Sequence, residues 1–258
     1  MTRTAAARSL AGAATALAVC AVPTWRDAPA LQRTNHRGDR VSLVSGPALA
    51  LGAVAGAALP LPATVVAGLV AGAVGAYDDA AGARAAQAGA KGFRGHLGAL
   101  REGRLTAGAV KVAGIGLAGV TAAALLPGRR DPLDVLLGGA VVAGSANLLN
   151  LLDLRPGRAL KAGVVAAALL GQPGLAAAGG ALLADDLAER TMLGDAGANA
   201  LGAVLGLALL DRRPGRRATA GALAVLVALT CASEVVSYSR VIDATPPLRW
   251  LDRLGRRA

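Results

Sequence analysis

Nine runs of apolar residues, separated by short basic segments, divide the chain, and this alternation constrains its fold more than any other feature. The runs lie near residues 5–23, 43–59, 61–77, 107–127, 133–152, 159–171, 173–186, 198–211 and 218–238. A bilayer core of about 30 Å needs roughly 20 mainly apolar residues per helix, so the pattern predicts an all-α, polytopic membrane bundle of about nine transmembrane helices. One integral membrane domain over residues 1–258 accounts for the whole sequence. Only 17% of residues are charged, against about 25% in a soluble domain. Arg3 and Arg8 followed by the apolar run Leu10–Val22 have the form of a signal peptide, but the further runs favour a retained first span. A Leu-Pro-Leu-Pro turn at 59–62 joins the second and third runs. Gly52/Gly56, Gly68/Gly72 and Gly202/Gly206 stand four apart, a spacing that lets helices approach backbone to backbone.

Charge sets the orientation. Segments 24–42, 78–106, 153–161, 187–197 and 239–258 carry 18 Lys/Arg, and the opposite side carries 8. The positive-inside rule puts the first set, with the C-terminal stretch, in the cytoplasm; the expected location is the plasma membrane. All five aromatic residues (Trp25, Tyr77, Phe93, Tyr238 and Trp250) fall at or near the predicted cytoplasmic boundaries, where amphipathic rings prefer to sit. The formal net charge of +11 is read as affinity for anionic lipid headgroups and phosphate-bearing substrates rather than nucleic acid. Cys20 and Cys231 lie inside apolar runs, and His36 and His96 are far apart, so no disulfide framework or zinc spacing exists.

Carboxylates gather on the same side. Thirteen of the sixteen lie on the predicted cytoplasmic face, and in three places an apolar run meets an acid: Asp78 and Asp79, Asp153, and Asp195. An acid at membrane depth is costly and marks a candidate site. Such a cluster suits Mg²⁺, which takes one or two carboxylates and keeps waters and substrate phosphates as its other ligands; the ion then offsets charge on a transferring phosphoryl group. In Lys91–Thr106, Phe93, Leu97 and Leu100 share one helical face while Lys91, Arg94, Arg101 and Arg104 bias the other, which predicts an interfacial amphipathic helix.

The stretches GAYDDAAG at 75–82, KGFRGHLGALREGRLTAGAVK at 91–111, NLLNLLD at 147–153 and MLGDAGANALGA at 192–203, with RTNHRG at 33–38, occur in an order that resembles the polyprenyl-phosphate sugar-1-phosphate transferases, the family of phospho-N-acetylmuramoyl-pentapeptide transferase. The resemblance implies Mg²⁺-dependent transfer of a sugar 1-phosphate from a UDP-sugar, expected to be a UDP-N-acetylhexosamine, to a polyprenyl phosphate at the cytoplasmic face, with release of UMP. It implies catalytic roles for Asp78, Asp79 and Asp153, and metal ligation by Asp195 and Asp78. It implies substrate binding by Asn147, Asn150, Lys91, Arg94, His96 and Asn199. Partners implied are the UDP-sugar, the polyprenyl phosphate, membrane lipids and a second copy of the chain.

Three features depart from the family pattern. Leu154-Arg155-Pro156-Gly157 stands where the fifth-span motif continues with Asp-Gly. Ser237-Tyr238-Ser239-Arg240 replaces the histidine-rich loop, and the stretch 246–258 is too short and basic for a tenth span. Glu234, Arg240 and Asp243 stand near that position, as substitutes for the lost contacts or as helix-end caps. The alternatives are a non-catalytic membrane scaffold of the same descent, which has no need of the four aspartates, and a transporter, which places acids near the midplane of the bilayer. A CDP-alcohol phosphotransferase requires a spaced aspartate set that the chain lacks.

Overall fold

The computed structural model describes residues 2–35, 37–82, 107–129, 131–212 and 215–257. Lys91, Arg94 and His96, the amphipathic helix expected around them, and His36 lie outside the described residues.

Every one of the nine apolar runs is helical: α1 Arg3–Cys20, α2 Ser45–Ala55, α3, α4 Ala107–Ala124, α5 Pro132–Leu152, α6 Arg158–Leu169, α7 Pro173–Leu187, α8 Gly194–Arg212 and α9 Arg216–Val235. Helix α3 runs Leu61–Val65, widens into a π-helical stretch at Val66–Val70 and continues as Ala71–Gly82. Two short helices follow, α10 Tyr238–Ala244 and the amphipathic α11 Pro246–Arg253. A feature the periodicity does not reveal is an antiparallel ribbon between α1 and α2, in which β1 Gln32–Thr34 pairs with β2 Arg40–Ser42.

Helix starts follow their local chemistry. The Asp131 carboxylate accepts the N–H groups of Leu133 at 2.9 Å and Asp134 at 3.3 Å, with Pro132 in the first turn of α5. Pro173 likewise stands in the first turn of α7, there without a side-chain cap. Three helices are long and apolar enough to cross a membrane: Leu61–Ala81, Pro132–Leu152 and Arg216–Val235. Helices α2, α6 and α7 have only 11, 12 and 15 residues, short of the roughly 20 a full crossing takes.

The centre of the bundle is α8, buried along nearly its whole length from Gly194 to Leu210. Small residues allow the crowding. A Cβ at Gly202 would lie 2.3 Å from the Ser145 carbonyl oxygen on α5, and one at Gly206 2.9 Å from the Val142 Cα. Gly52 meets the Gly12 carbonyl on α1, and Gly56 meets Gly174 on α7. Gly68 and Gly72 have the same spacing but face Val54 and Ala50 side chains at 3.3 Å, so side chains rather than backbone fill that contact. By contrast α9 is the peripheral helix, with Val225, Val227, Leu229 and Val235 exposed.

These glycine contacts also give the helix directions. Gly68 lies beside Val204, Gly72 beside Ala200 and Gly75 beside Asp195, so α3 and α8 are antiparallel. Gly202 lies beside Ser145 and Gly206 beside Val142, so α5 and α8 are antiparallel too. Gly114 touches Val74 and Gly119 touches Gly139 and Val142, which places α4 between α3 and α5. The C-terminal ends of α3 and α5 and the N-terminal ends of α4 and α8 therefore meet at one end of the bundle.

Candidate functional site: a carboxylate cluster at the start of the central helix

Three backbone N–H groups at the start of α8 are satisfied by two carboxylates from two other helices. Asp186, at the end of α7, accepts from Leu193 at 3.2 Å. Asp153 ends α5. Asp79, near the end of α3, accepts from Asp195 through one oxygen and Ala196 through the other, both at 3.1 Å. The first N–H groups of a helix have no intrahelical acceptor, and the helix dipole favours negative charge there. Gly194 has a positive φ of 63°, and a Cβ there would lie 2.9 Å from Leu43 and 3.0 Å from an Asp79 oxygen. Only glycine brings the turn this close to the carboxylates.

Asp186 also accepts the Gly157 N–H at 2.5 Å and so joins the turn after α5 to the turn before α8. The ribbon braces the same region. Met192 N–H donates to the Ser42 carbonyl at 2.8 Å, Ser45 Oγ donates to Thr191 Oγ1 at 2.7 Å, and Arg33 donates to the Asp79 carbonyl at 2.5 Å.

Beside this nest lies a polar cluster assembled from four helices. Lys111 Nζ, near the start of α4, is 2.5 Å from Asp195 Oδ2 and 3.2 Å from Asp78 Oδ2. With its amide nitrogen facing the acid, Asn150 on α5 donates to Asp195 Oδ1 at 2.6 Å and accepts from Lys111 at 3.0 Å. The Lys111 side chain is only 15% exposed. A lone lysine in an apolar helix is held by the two carboxylates and the amide that surround it.

Asp153 lines a cavity of about 170 Å³ together with Asn35, Arg155, Asp186, Glu189 and Thr191. Burial pushes its carboxyl well above the ordinary 3.8; the nearby charges of Asp186, Asp195 and Asp79 add to the rise, and the Gly194 N–H opposes it. Glu189, in the cavity wall, adopts φ 56°, the one non-glycine positive φ among the described residues. It accepts from Asn35 at 2.6 Å and pairs with Arg37 at 3.1 Å.

The sequence-derived site residues divide accordingly. Asp78, Asp79, Asn150, Asp153 and Asp195 come together at one end of the bundle. Asn147 turns away, its amide donating to Thr230 Oγ1 on α9 at 3.1 Å. Asn199 is fully buried one turn into α8, with no hydrogen-bond partner for either side-chain polar atom among the described residues. Glu234 and Arg240 are exposed. Sequence reasoning passed over three contributors: Lys111, Arg33 and Asp186. Lys111 carried a signal, as the sole charge in the run 107–127, and Asp186 another, as the second acid of an Asp-Asp pair ending an apolar run. No family model matches this chain, and no curated protein matches it.

Proposed function

We propose that the chain is a polytopic enzyme of the plasma membrane, with about nine membrane-inserted helices, that transfers a sugar 1-phosphate from a UDP-sugar to a polyprenyl phosphate and releases UMP. The observation that carries this reading is the meeting of Asp78, Asp195, Asn150 and Lys111, from four helices, at the cavity-bearing end of the bundle. The active face is assigned to the cytoplasm on the distribution of basic residues.

The donor set fits Mg²⁺. Among the described residues no group of three His, Cys, Asp or Glu side chains forms a metal cage. Two carboxylates and an amide oxygen do face one cationic centre, and an ion that retains waters and binds substrate phosphates needs no more than that from the protein. Asp78 and Asp195 would hold it; when bound it offsets negative charge on the phosphates.

In the net reaction an oxygen of the acceptor phosphate bonds to the sugar-bearing phosphorus, and the bond from that phosphorus to the bridging oxygen breaks with UMP leaving. Lys111 supplies a positive charge next to the phosphates. Asn150 fixes the Asp195 carboxylate through one oxygen and leaves the other facing Lys111. Asp79 and Asp186 hold the start of α8, and therefore Asp195, in register with α3 and α7.

Purified, detergent-solubilised protein given Mg²⁺, a polyprenyl phosphate and a panel of UDP-sugars is expected to release UMP only when lipid and metal are both present. Asp195→Asn is expected to abolish release. Folded protein that releases no UMP with any donor would overturn the transferase reading, and an active Asp195→Asn variant would overturn the metal assignment.

A further inference from the structure

Adjoining the Asp153 cavity, and sharing Arg155, Pro156 and Glu189 with it, is a recess of about 270 Å³ lined by five arginines and a single carboxylate: Arg37, Arg155, Arg253, Arg256 and Arg257, with Glu189. It is room for several water molecules at about 30 Å³ each in the liquid. Three of the arginines have acidic partners. Arg37 pairs with Glu189 at 3.1 Å, Arg256 with Asp252 at 2.6 Å and Arg257 with Asp39 at 3.5 Å. Arg155 and Arg253 pair with no carboxylate among the described residues. Two arginines without a carboxylate partner among the described residues thus line one recess, and like charges repel one another.

The recess is also held in shape. Asp252 is buried and takes both Arg158 Nε at 2.8 Å and Arg158 Nη2 at 3.2 Å, a bidentate pair that anchors α11 to the start of α6. Lys161 ties the same segment through the carbonyls of Leu251, Asp252 and Leu254 at 3.0, 3.0 and 2.6 Å. Arg256 Nε donates to the Pro156 carbonyl at 3.0 Å, and Arg257 N–H to the Leu187 carbonyl at 3.3 Å. These bonds fix the C-terminal arginines against the turn that carries Arg155. A guanidinium offers five N–H donors, so the anchored arginines keep donors to spare. Glu189 holds Arg37 at the rim from a left-handed backbone conformation, the kind of strain concentrated at ligand sites.

We propose that this recess is a binding site for a phosphate-bearing anion carrying at least two negative charges, with Arg155 and Arg253 as its principal ligands and the anchored Arg256 as their support. Arginine forks match phosphate oxygens bidentately, and a multiply charged anion relieves the repulsion that the described side chains leave in place. The assignment rests on the arginines and stands apart from the transferase reading, which rests on Asp78 and Asp195.

The test titrates inorganic pyrophosphate into the full chain in detergent, with EDTA present, by calorimetry. Saturable binding is expected, weakened at least tenfold in Arg155→Gln/Arg253→Gln and unchanged in Asp195→Asn. A second measurement needs no variant: pyrophosphate is expected to protect Arg155 and Arg253 from phenylglyoxal, read by mass spectrometry. Nanodiscs with and without phosphatidic acid separate the two sources of such a group. Displacement of pyrophosphate by phosphatidic acid assigns the site to a lipid headgroup; lack of displacement assigns it to a soluble phosphate ester. Absence of binding to both probes, undiminished binding in the double variant, or unprotected Arg155 and Arg253 would each overturn the proposal. Loss of turnover in Asp195→Asn with pyrophosphate binding intact would separate this site from the acidic cluster.

Discussion

Lys111 and Asp79 do different work within one small volume. Lys111 is the shared partner of Asp78 and Asp195. Its replacement by methionine keeps the length of the side chain but leaves two carboxylates facing each other. The expected loss of stability is about 1–3 kcal/mol, below the ~3–5 kcal/mol of a fully buried pair because the carboxylates are partly exposed. Excess Mg²⁺ is expected to raise the melting temperature of Lys111→Met more than that of the parent, because the ion then meets no competing ammonium. Equal shifts in thermal melts would argue against a cation between those carboxylates. Asp79→Ala removes both acceptors for the Asp195 and Ala196 N–H groups, and a lost helix cap costs about 0.5–2 kcal/mol. Asp79→Asn keeps one acceptor oxygen and is expected to lose roughly half as much in the same melts.

Glycine decides how closely the elements approach. The contact between α5 and α8 depends on Gly202, whose Cβ position is occupied by the Ser145 carbonyl. Gly202→Ala is expected to push the helices apart and cost about 1–3 kcal/mol, the usual range for overpacking. Gly116, on α4, has nothing within 4 Å of its Cβ position. Gly116→Ala is therefore expected to be neutral or to stabilise by up to about 1 kcal/mol through helix propensity. Thermal unfolding of the pair checks this: equal effects at the two sites would mean that the α5–α8 approach is looser than described.

The whole molecule is closed at the candidate-site end by its C-terminal segment, and that closure responds to acid. Burial raises the Asp252 carboxyl, but Arg158, Arg256 and Lys161 outweigh it and hold it below the ordinary 3.8. A carboxylate lowered on folding contributes stability that is full above its unfolded value and is lost as pH falls through its folded value. The C-terminal segment is therefore expected to stay docked at neutral pH and to detach only below about pH 4. Cleavage by an acid-tolerant protease between α9 and residue 257 gives the readout. Asp252→Asn is expected to be cut already at neutral pH, and equal resistance of parent and variant would show that the Asp252 cluster does not hold the segment.

The all-α class and the helical runs were legible in the order of the amino acids, because apolar periodicity and charge exclusion act locally and survive without tertiary information. Asp78, Asp79, Asp153 and Asp195 were legible as candidates because an acid ending an apolar run is expensive wherever the chain goes. Which side chains share a centre depends on how the helices pack. Asn147 and Asn150 lie three residues apart on one helix, yet one turns to Thr230 and the other to Asp195. Lys111 and Asp186 join the cluster through antiparallel packing that no local pattern encodes. The ribbon at Gln32–Ser42 also escaped the sequence, since strands of three residues are too short to show a period. The arginine recess escaped for the same reason at longer range: Arg253 reaches Arg155 because Asp252 is fastened to Arg158, 94 residues away, and Arg37 is held there by Glu189.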